Sequence, residues 1–255
     1  MKFIGIIPAR YQSSRFPGKA LFIIEGKTMI QRVYEQAKKS AILSELYVAT
    51  DNTSIENHVK NFGGNVVMTS KDHPCGTDRC YEAFHIINNS GIYSSDDIVI
   101  NIQGDEPCIN PQQIELVTSC FKKDDVKIAT LVRKMDSMED LLSSTVIKVV
   151  CDTNKKAMYF SRSPIPYFRG LDHSQWIKNH TYYQHIGIYA YRASVLDEIH
   201  NIKQSPLEKT ESLEQLRWME NDYLIHVEIT KHASYSVDEP GDVEKIIKLL
   251  KETNF

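Results

Sequence analysis

Over the first half of the chain, short runs of consecutive apolar residues alternate with stretches whose apolar positions recur at helical spacing. Residues 3–7 predict a strand, and Thr28 is placed to cap a helix carrying Met29, Ile30, Val33 and Ala37 on one face. Residues 46–49 predict the next strand, 54–62 a helix stopped by Gly63 and Gly64, and 66–68 a short strand. A helix over 77–89 ends near Gly91, and 98–102 read as a fully apolar strand. Pro111 then stands where the first turn of a helix favours proline, ahead of Ile114, Val117 and Phe121. This alternation implies a parallel sheet covered on both faces by helices.

Beyond residue 126 the pattern loosens. Strands are predicted over 127–132, 146–150 and 158–160, followed by a stretch rich in Pro, Arg and aromatic residues over 161–183. A strand over 185–191, a helix over 206–220, a strand over 223–229 and a closing helix over 243–250 complete the chain. The expected fold is a Rossmann-like α/β core, residues 1–128 and 207–255, with a β-rich lobe at 129–206. In open α/β sheets ligands bind beyond the carboxyl ends of the strands, so the informative residues are those that follow each strand.

Composition narrows the partners. The 255 residues are 42% hydrophobic and 25% charged, enough for a large globular core. With 30 Lys+Arg against 33 Asp+Glu, the net charge of −3 provides no global field for nucleic acid or an acidic membrane. An anion must be held by a local site. Five cysteines with no C-x-x-C pair argue against structural zinc and for a reducing compartment. The apolar start is cut off by Pro8 and Arg10, and no later apolar stretch approaches membrane-spanning length. A cytoplasmic protein without membrane insertion is expected.

The loop after the first strand runs Pro8-Ala9-Arg10-Tyr11-Gln12-Ser13-Ser14-Arg15-Phe16-Pro17-Gly18-Lys19. It lacks the glycines of a dinucleotide-binding turn. Gly26-Lys27-Thr28 imitates the end of a P-loop, but Leu21 stands where the first glycine would be needed. What the loop offers is three cations, Arg10, Arg15 and Lys19, with Ser13 and Ser14 as donors. Two guanidinium forks and an ammonium suit a polyphosphate better than they suit the alternative, a solvated basic loop.

Asp105, in Gln103-Gly104-Asp105-Glu106-Pro107, follows the most apolar strand after a flexible Gly104, a placement open to a Mg²⁺ ligand or to a turn residue. Asp238, in Ser236-Val237-Asp238-Glu239-Pro240-Gly241-Asp242, is a second candidate, although Asp238 or Asp242 could simply cap the last helix. The pair gains force only if the fold joins them.

These blocks, together with Ala49-Thr50-Asp51, Gly76-Thr77-Asp78-Arg79, Lys148-Val149-Val150, Tyr159-Phe160-Ser161-Arg162, His185-Ile186-Gly187-Ile188-Tyr189, Ser205-Pro206-Leu207-Glu208 and Leu213-Glu214-Gln215-Leu216-Arg217, closely resemble the 3-deoxy-manno-octulosonate (Kdo) cytidylyltransferases, the CMP-Kdo synthetase family of the sugar nucleotidyltransferase superfamily. The resemblance runs in order over nearly the whole chain. It implies a nucleotide-diphospho-sugar transferase type of fold, with a mixed, mostly parallel sheet and a lobe for sugar binding and dimerisation. It implies a homodimer and the reaction CTP + Kdo → CMP-Kdo + diphosphate, serving lipopolysaccharide assembly. Arg10 and Lys19 would contact CTP phosphates with Arg15 close by, and Arg10, Lys19 and Asp105 would carry catalysis. Asp105 and Asp238 would hold Mg²⁺. Ala9, Gly76, Arg79 and Gln103 would lie around the nucleotide, and Arg162, His185, Tyr189, Glu214 and Gln215 would face Kdo. Arg162 could be the cation for the sugar carboxylate. His185 and Tyr189 share a strand face with Gly187, which suits a pocket floor or a half-buried strand; for Glu214 and Gln215 the alternative is a solvated helix face. Another sugar acid, of sialic acid or 8-amino-Kdo type, would use the same phosphate loop. Cys75 stands where relatives commonly carry Ser or Asn, so a nucleotide contact there must rest on backbone groups.

Overall fold

In a computed structural model, which describes residues 1–13 and 15–253, the chain runs β1 (Phe3–Ala9), a small hairpin of β2 (Ile23–Ile24) and β3 (Lys27–Thr28), α1 (Met29–Lys38), β4 (Glu45–Thr50), α2 (Thr53–Asn61), β5 (Asn65–Met68), α3 (Gly76–Ile87), β6 (Ile98–Asn101) and α4 (Pro111–Ser119). It continues through β7 (Ile128–Lys134), α5 (Met138–Leu142), β8 (Lys148–Cys151), β9 (Ala157–Ser161), α6 (Trp176–Asn179) and β10 (Tyr183–Arg192). The last elements are α7 (Ala193–His200), α8 (Pro206–Glu211), α9 (Glu214–Met219), β11 (Ile225–Thr230) and α10 (Asp242–Thr253). Two compact units form, Met1–Glu115 with Ala190–His200 and Ser234–Phe255, and Leu116–Tyr189 with Asn201–Ala233.

In the first unit the strand order is β6-β1-β4-β5, every pair parallel. Ile4, Ile6 and Ile7 of β1 are fully buried, as a strand covered on both faces requires. The Thr28 hydroxyl accepts from Gln31 N–H and starts α1, while Asn52 caps α2. Lys27 and Thr28 pair with Ile24 and Ile23, so the P-loop imitation is a hairpin that leads into a cap.

In the second unit β11 lies parallel to β7, β10 follows β7, and β8 runs antiparallel to both β10 and β9. Trp176 and Tyr182 stack at 6.0 Å and pack with Met135 and Leu141, so the aromatic stretch builds a core. The unit begins before β7 and, beyond the expected lobe, takes in 207–233, which the sequence pattern assigned to the core, because β11 pairs with β7. The helix expected over 206–220 is two. Ser205 and Glu208 form a reciprocal capping box on α8, and Ser212, left-handed at φ 52°, ends it before α9 begins. α7 was not anticipated, since it follows β10 with no glycine or proline between them. No helix among the described residues is long and apolar enough to cross a membrane.

Candidate functional site

Beyond the carboxyl ends of β1 and β6, the first unit holds a cleft of about 240 Å³. The end of β1 and the loop after it line it with Ala9, Arg10, Ser13, Arg15 and Lys19; α3 adds Gly76 and Arg79; Gln103 and Asp105 follow β6, and Asp238 precedes α10. Ser14 lies outside the described residues.

Apolar anchors place these groups. Phe16 inserts between Arg15 and Pro17 into a cluster with Met29, Val243 and Val237, so one core fixes both the basic loop and the Asp238 turn. Gly18, at φ +70°, closes the loop with a 2.9 Å bond from its N–H to the Tyr11 carbonyl. Val237 N–H donates to the Asp105 carbonyl at 2.9 Å, joining the two acidic turns. Lys19 Nζ therefore sits 2.6 Å from Asp105 Oδ2, 3.1 Å from the Val237 carbonyl and 3.8 Å from Asp238 Oδ1. Arg15 Nη2 lies 2.9 Å from the same Asp238 oxygen. Arg10 is exposed and makes no ion pair with any described residue, leaving its fork available to a ligand.

The competing capping roles also resolve. Asp242 Oδ2 accepts from the N–H groups of Asp238 and Glu239 at 3.0 Å each, and these bonds hold its carboxyl below the usual range. Asp238 keeps its own carboxylate for the cleft. Gly104 is a close approach and not a flexible link: a Cβ there would lie 2.5 Å from the Pro8 carbonyl oxygen. Glu106, which the sequence pattern did not single out, is buried behind Asp105 and hydrogen-bonded to Ser234; burial pushes its carboxyl up to about 7.

Arg79 lines the cleft, but it is 3% exposed and committed to the protein. Its guanidinium donates to Thr69 Oγ1 (2.6 Å), the Ser70 carbonyl (3.1 Å) and Asp51 Oδ2 (3.1 Å), so it braces the wall and adds little net charge. Cys75 caps α3, accepting from Asp78 N–H at 3.4 Å and donating to Asp78 Oδ2 at 3.1 Å.

The remaining candidates lie in the second unit. His185 Nε2 is 3.0 Å from Thr130 Oγ1, with its ring against Phe160 and Tyr189. Burial with no charged partner lowers it to about 3, so the imidazole is neutral. The phenol of Tyr189 is pushed well above its usual value, first by burial and then by the Glu214 charge, and its ring meets Trp218 edge-on at 5.2 Å. This face is therefore packed with aromatics around a few polar atoms. Glu214 bonds Arg217 at 2.8 Å, while Gln215 is 5% exposed with no partner for Nε2 among the described residues, so neither belongs to a freely solvated helix face. Arg162 spends its donors on carbonyls of Glu211 (2.7 Å), Ser144 (3.0 Å) and Ser212 (3.4 Å), and so holds backbone where a carboxylate-binding cation was expected. Lys148, wholly buried, likewise donates to the Ser143 and Val146 carbonyls.

Residues 4–229 match the family described as cytidylyltransferase. The chain belongs to the cytidylyltransferase family. It is 54% identical to the 3-deoxy-manno-octulosonate cytidylyltransferase of Parabacteroides distasonis over 98% of each chain, and 52% identical to that of Phocaeicola vulgatus over 99% of this chain and 98% of the relative. Among solved structures it is similar to a CMP:2-keto-3-deoxy-manno-octonic acid synthetase complexed with CTP, at 40% identity and TM-score 0.89 over 99% of each chain.

In this cytidylyltransferase the cleft residues suit a divalent cation. Asp105 and Asp238 both lie within 4 Å of one ammonium, that of Lys19, so the two carboxylates are placed to share a single positive charge. Two protein carboxylates leave Mg²⁺ its remaining positions for water and substrate phosphates, its usual preference.

Proposed function

We propose that this chain transfers CMP from CTP to Kdo, forming CMP-Kdo and diphosphate for lipopolysaccharide assembly. The observation that carries this reading is the convergence of Lys19, Asp105 and Asp238 on one cleft beside the uncommitted Arg10, in a chain that matches Kdo cytidylyltransferases along nearly its full length. The anomeric hydroxyl of the sugar attacks the α-phosphorus. An O–P bond forms as the bond to the departing diphosphate breaks, and the hydroxyl proton is released to solvent. No covalent enzyme intermediate is needed, so the protein supplies position and charge.

Arg10 and Lys19, with Arg15, hold the phosphate oxygens and offset the charge that leaves with diphosphate. Ala9, Gly76 and Gln103 shape the nucleotide pocket, with Arg79 bracing it. Asp105 and Asp238 would hold Mg²⁺, which when bound neutralises phosphate charge and lowers the pKa of a coordinated hydroxyl. His185, Tyr189, Glu214 and Gln215 serve the sugar acid in the second unit. There the exposed Met158 and Tyr167 support a role in homodimer formation, which light scattering tests. The five thiols support a cytoplasmic setting.

Diphosphate release from CTP is measured with Kdo, 8-amino-Kdo and a sialic acid, with Mg²⁺ or with chelator. Kdo is expected to give the highest kcat/KM, and chelator to abolish turnover. A preference for either other acid sinks the substrate assignment, and turnover indifferent to Mg²⁺ sinks the metal site.

A further inference from the structure

We propose that Glu211 is a positioning residue for the sugar acid: it fastens the turn from which Glu214 and Gln215 project. The inference rests on the Kdo-transfer reading and adds a residue to it. The amphipathic pattern over 206–220 would continue as one helix, yet the helix breaks at Ser212, which adopts φ 52° and ψ 47°. A left-handed conformation is unfavourable for a non-glycine residue and persists only where its surroundings impose it.

The constraint lies next door. Glu211 Oε1 accepts from Ser161 Oγ at 2.6 Å, Oε2 accepts from Arg162 N–H at 2.9 Å, and the Glu211 carbonyl accepts from Arg162 Nε at 2.7 Å. Arg162 Nη2 reaches the Ser212 carbonyl as well, at 3.4 Å. Three acceptors of one residue are thus bonded to the end of β9, and the direction in which α9 leaves is set by that strand.

What α9 then presents points to a ligand. Gln215 is 5% exposed and its Nε2 has no hydrogen-bond partner among the described residues. A buried amide donor left unpaired carries an uncompensated desolvation penalty, which is removed when a ligand oxygen accepts from it. A polyhydroxylated acid is rich in such oxygens. Released from β9, the 206–220 segment loses the imposed kink, and the amide moves away from where the acceptor arrives. Glu211 itself touches no substrate in this scheme.

The test is steady-state kinetics of Glu211→Gln, which keeps the size but removes one acceptor. KM for the sugar acid is expected to rise about tenfold while KM for CTP stays within twofold. In a Gln215→Ala background the same substitution should add less than about twofold, because the two act through one contact. Sugar-acid KM within twofold of wild type, an equal rise in both KM values, or fully multiplicative losses in the double variant overturns the proposal. If Glu211→Gln does not fold, Ser161→Ala removes only the Oε1 partner and is held to the same criteria. Wild-type turnover is measured first across the sugar-acid panel. Failure with Kdo there overturns the substrate assignment, and Glu211 is then tested with the acid that the wild type accepts.

Discussion

Replacing Gly104 by Ala adds a single methyl at the point where the chain after β6 passes the end of β1. The new Cβ would stand 2.5 Å from the Pro8 carbonyl oxygen, about 0.9 Å short of ordinary contact. The Cβ is fixed by its own backbone and the oxygen belongs to the main chain, so no rotamer change relieves the overlap. The two segments must part, and they carry Arg10 on one side and Asp105 on the other. Overpacking of this kind costs about 1–3 kcal/mol, and a displacement near 1 Å at a reacting centre costs on the order of 10²-fold in rate. Diphosphate release with varied CTP at saturating sugar acid is expected to show that loss, with a melting temperature lower by roughly 2–4 °C per kcal/mol. A variant with kcat/KM within threefold of wild type and an unchanged melting temperature would refute the reasoning.

Arg10→Ala is expected to lower kcat/KM for CTP by about 10²-fold or more without changing thermal stability, since Arg10 pairs with no described residue; a loss under threefold removes it from phosphate binding. His185 titrates at about 3 in the folded chain against 6.5 when exposed, so below pH 6.5 only the unfolded chain takes up the proton and stability falls as the pH drops toward 3. Between pH 7 and pH 5 this amounts to up to about 2 kcal/mol, and denaturant melts of His185→Gln should lack that part of the acid dependence; parallel curves for the two proteins would contradict it. Cys75→Ser should leave kcat/KM within about twofold and stability equal or up to ~1 kcal/mol higher, because serine is the better cap for the α3 N–H that the thiol now serves; a tenfold loss of activity would show that the thiol itself is needed.

Local chemistry was legible in the chain because it depends on near neighbours. The apolar run of β1, the Thr28 cap and the proline that opens α4 rest on spacings of a few residues, and the structure places each element there. The basic loop could be placed at the carboxyl end of the first strand from the sequence alone, and the structure sets it in the cleft there. Whether Asp105 and Asp238 come together could not be read from the sequence, because a Val237 to Asp105 backbone bond and the apolar cluster that holds Phe16 and Val237 join segments far apart in the chain. The same limit explains the 206–220 break, which is fixed by contacts from β9, and the assignment of β11 to the second unit, which follows from its pairing with β7.

Charge shows the division most clearly. Composition alone established that a chain of net charge −3 needs a local site for anions, and the motif order named the family. Only the fold decided which cations are available. Arg79 is bound to Asp51, Arg162 to backbone carbonyls and Lys19 to Asp105, while Arg10 faces the cleft uncommitted. A residue's type fixes the charge it carries, but its partners in space fix how much of that charge a substrate can use.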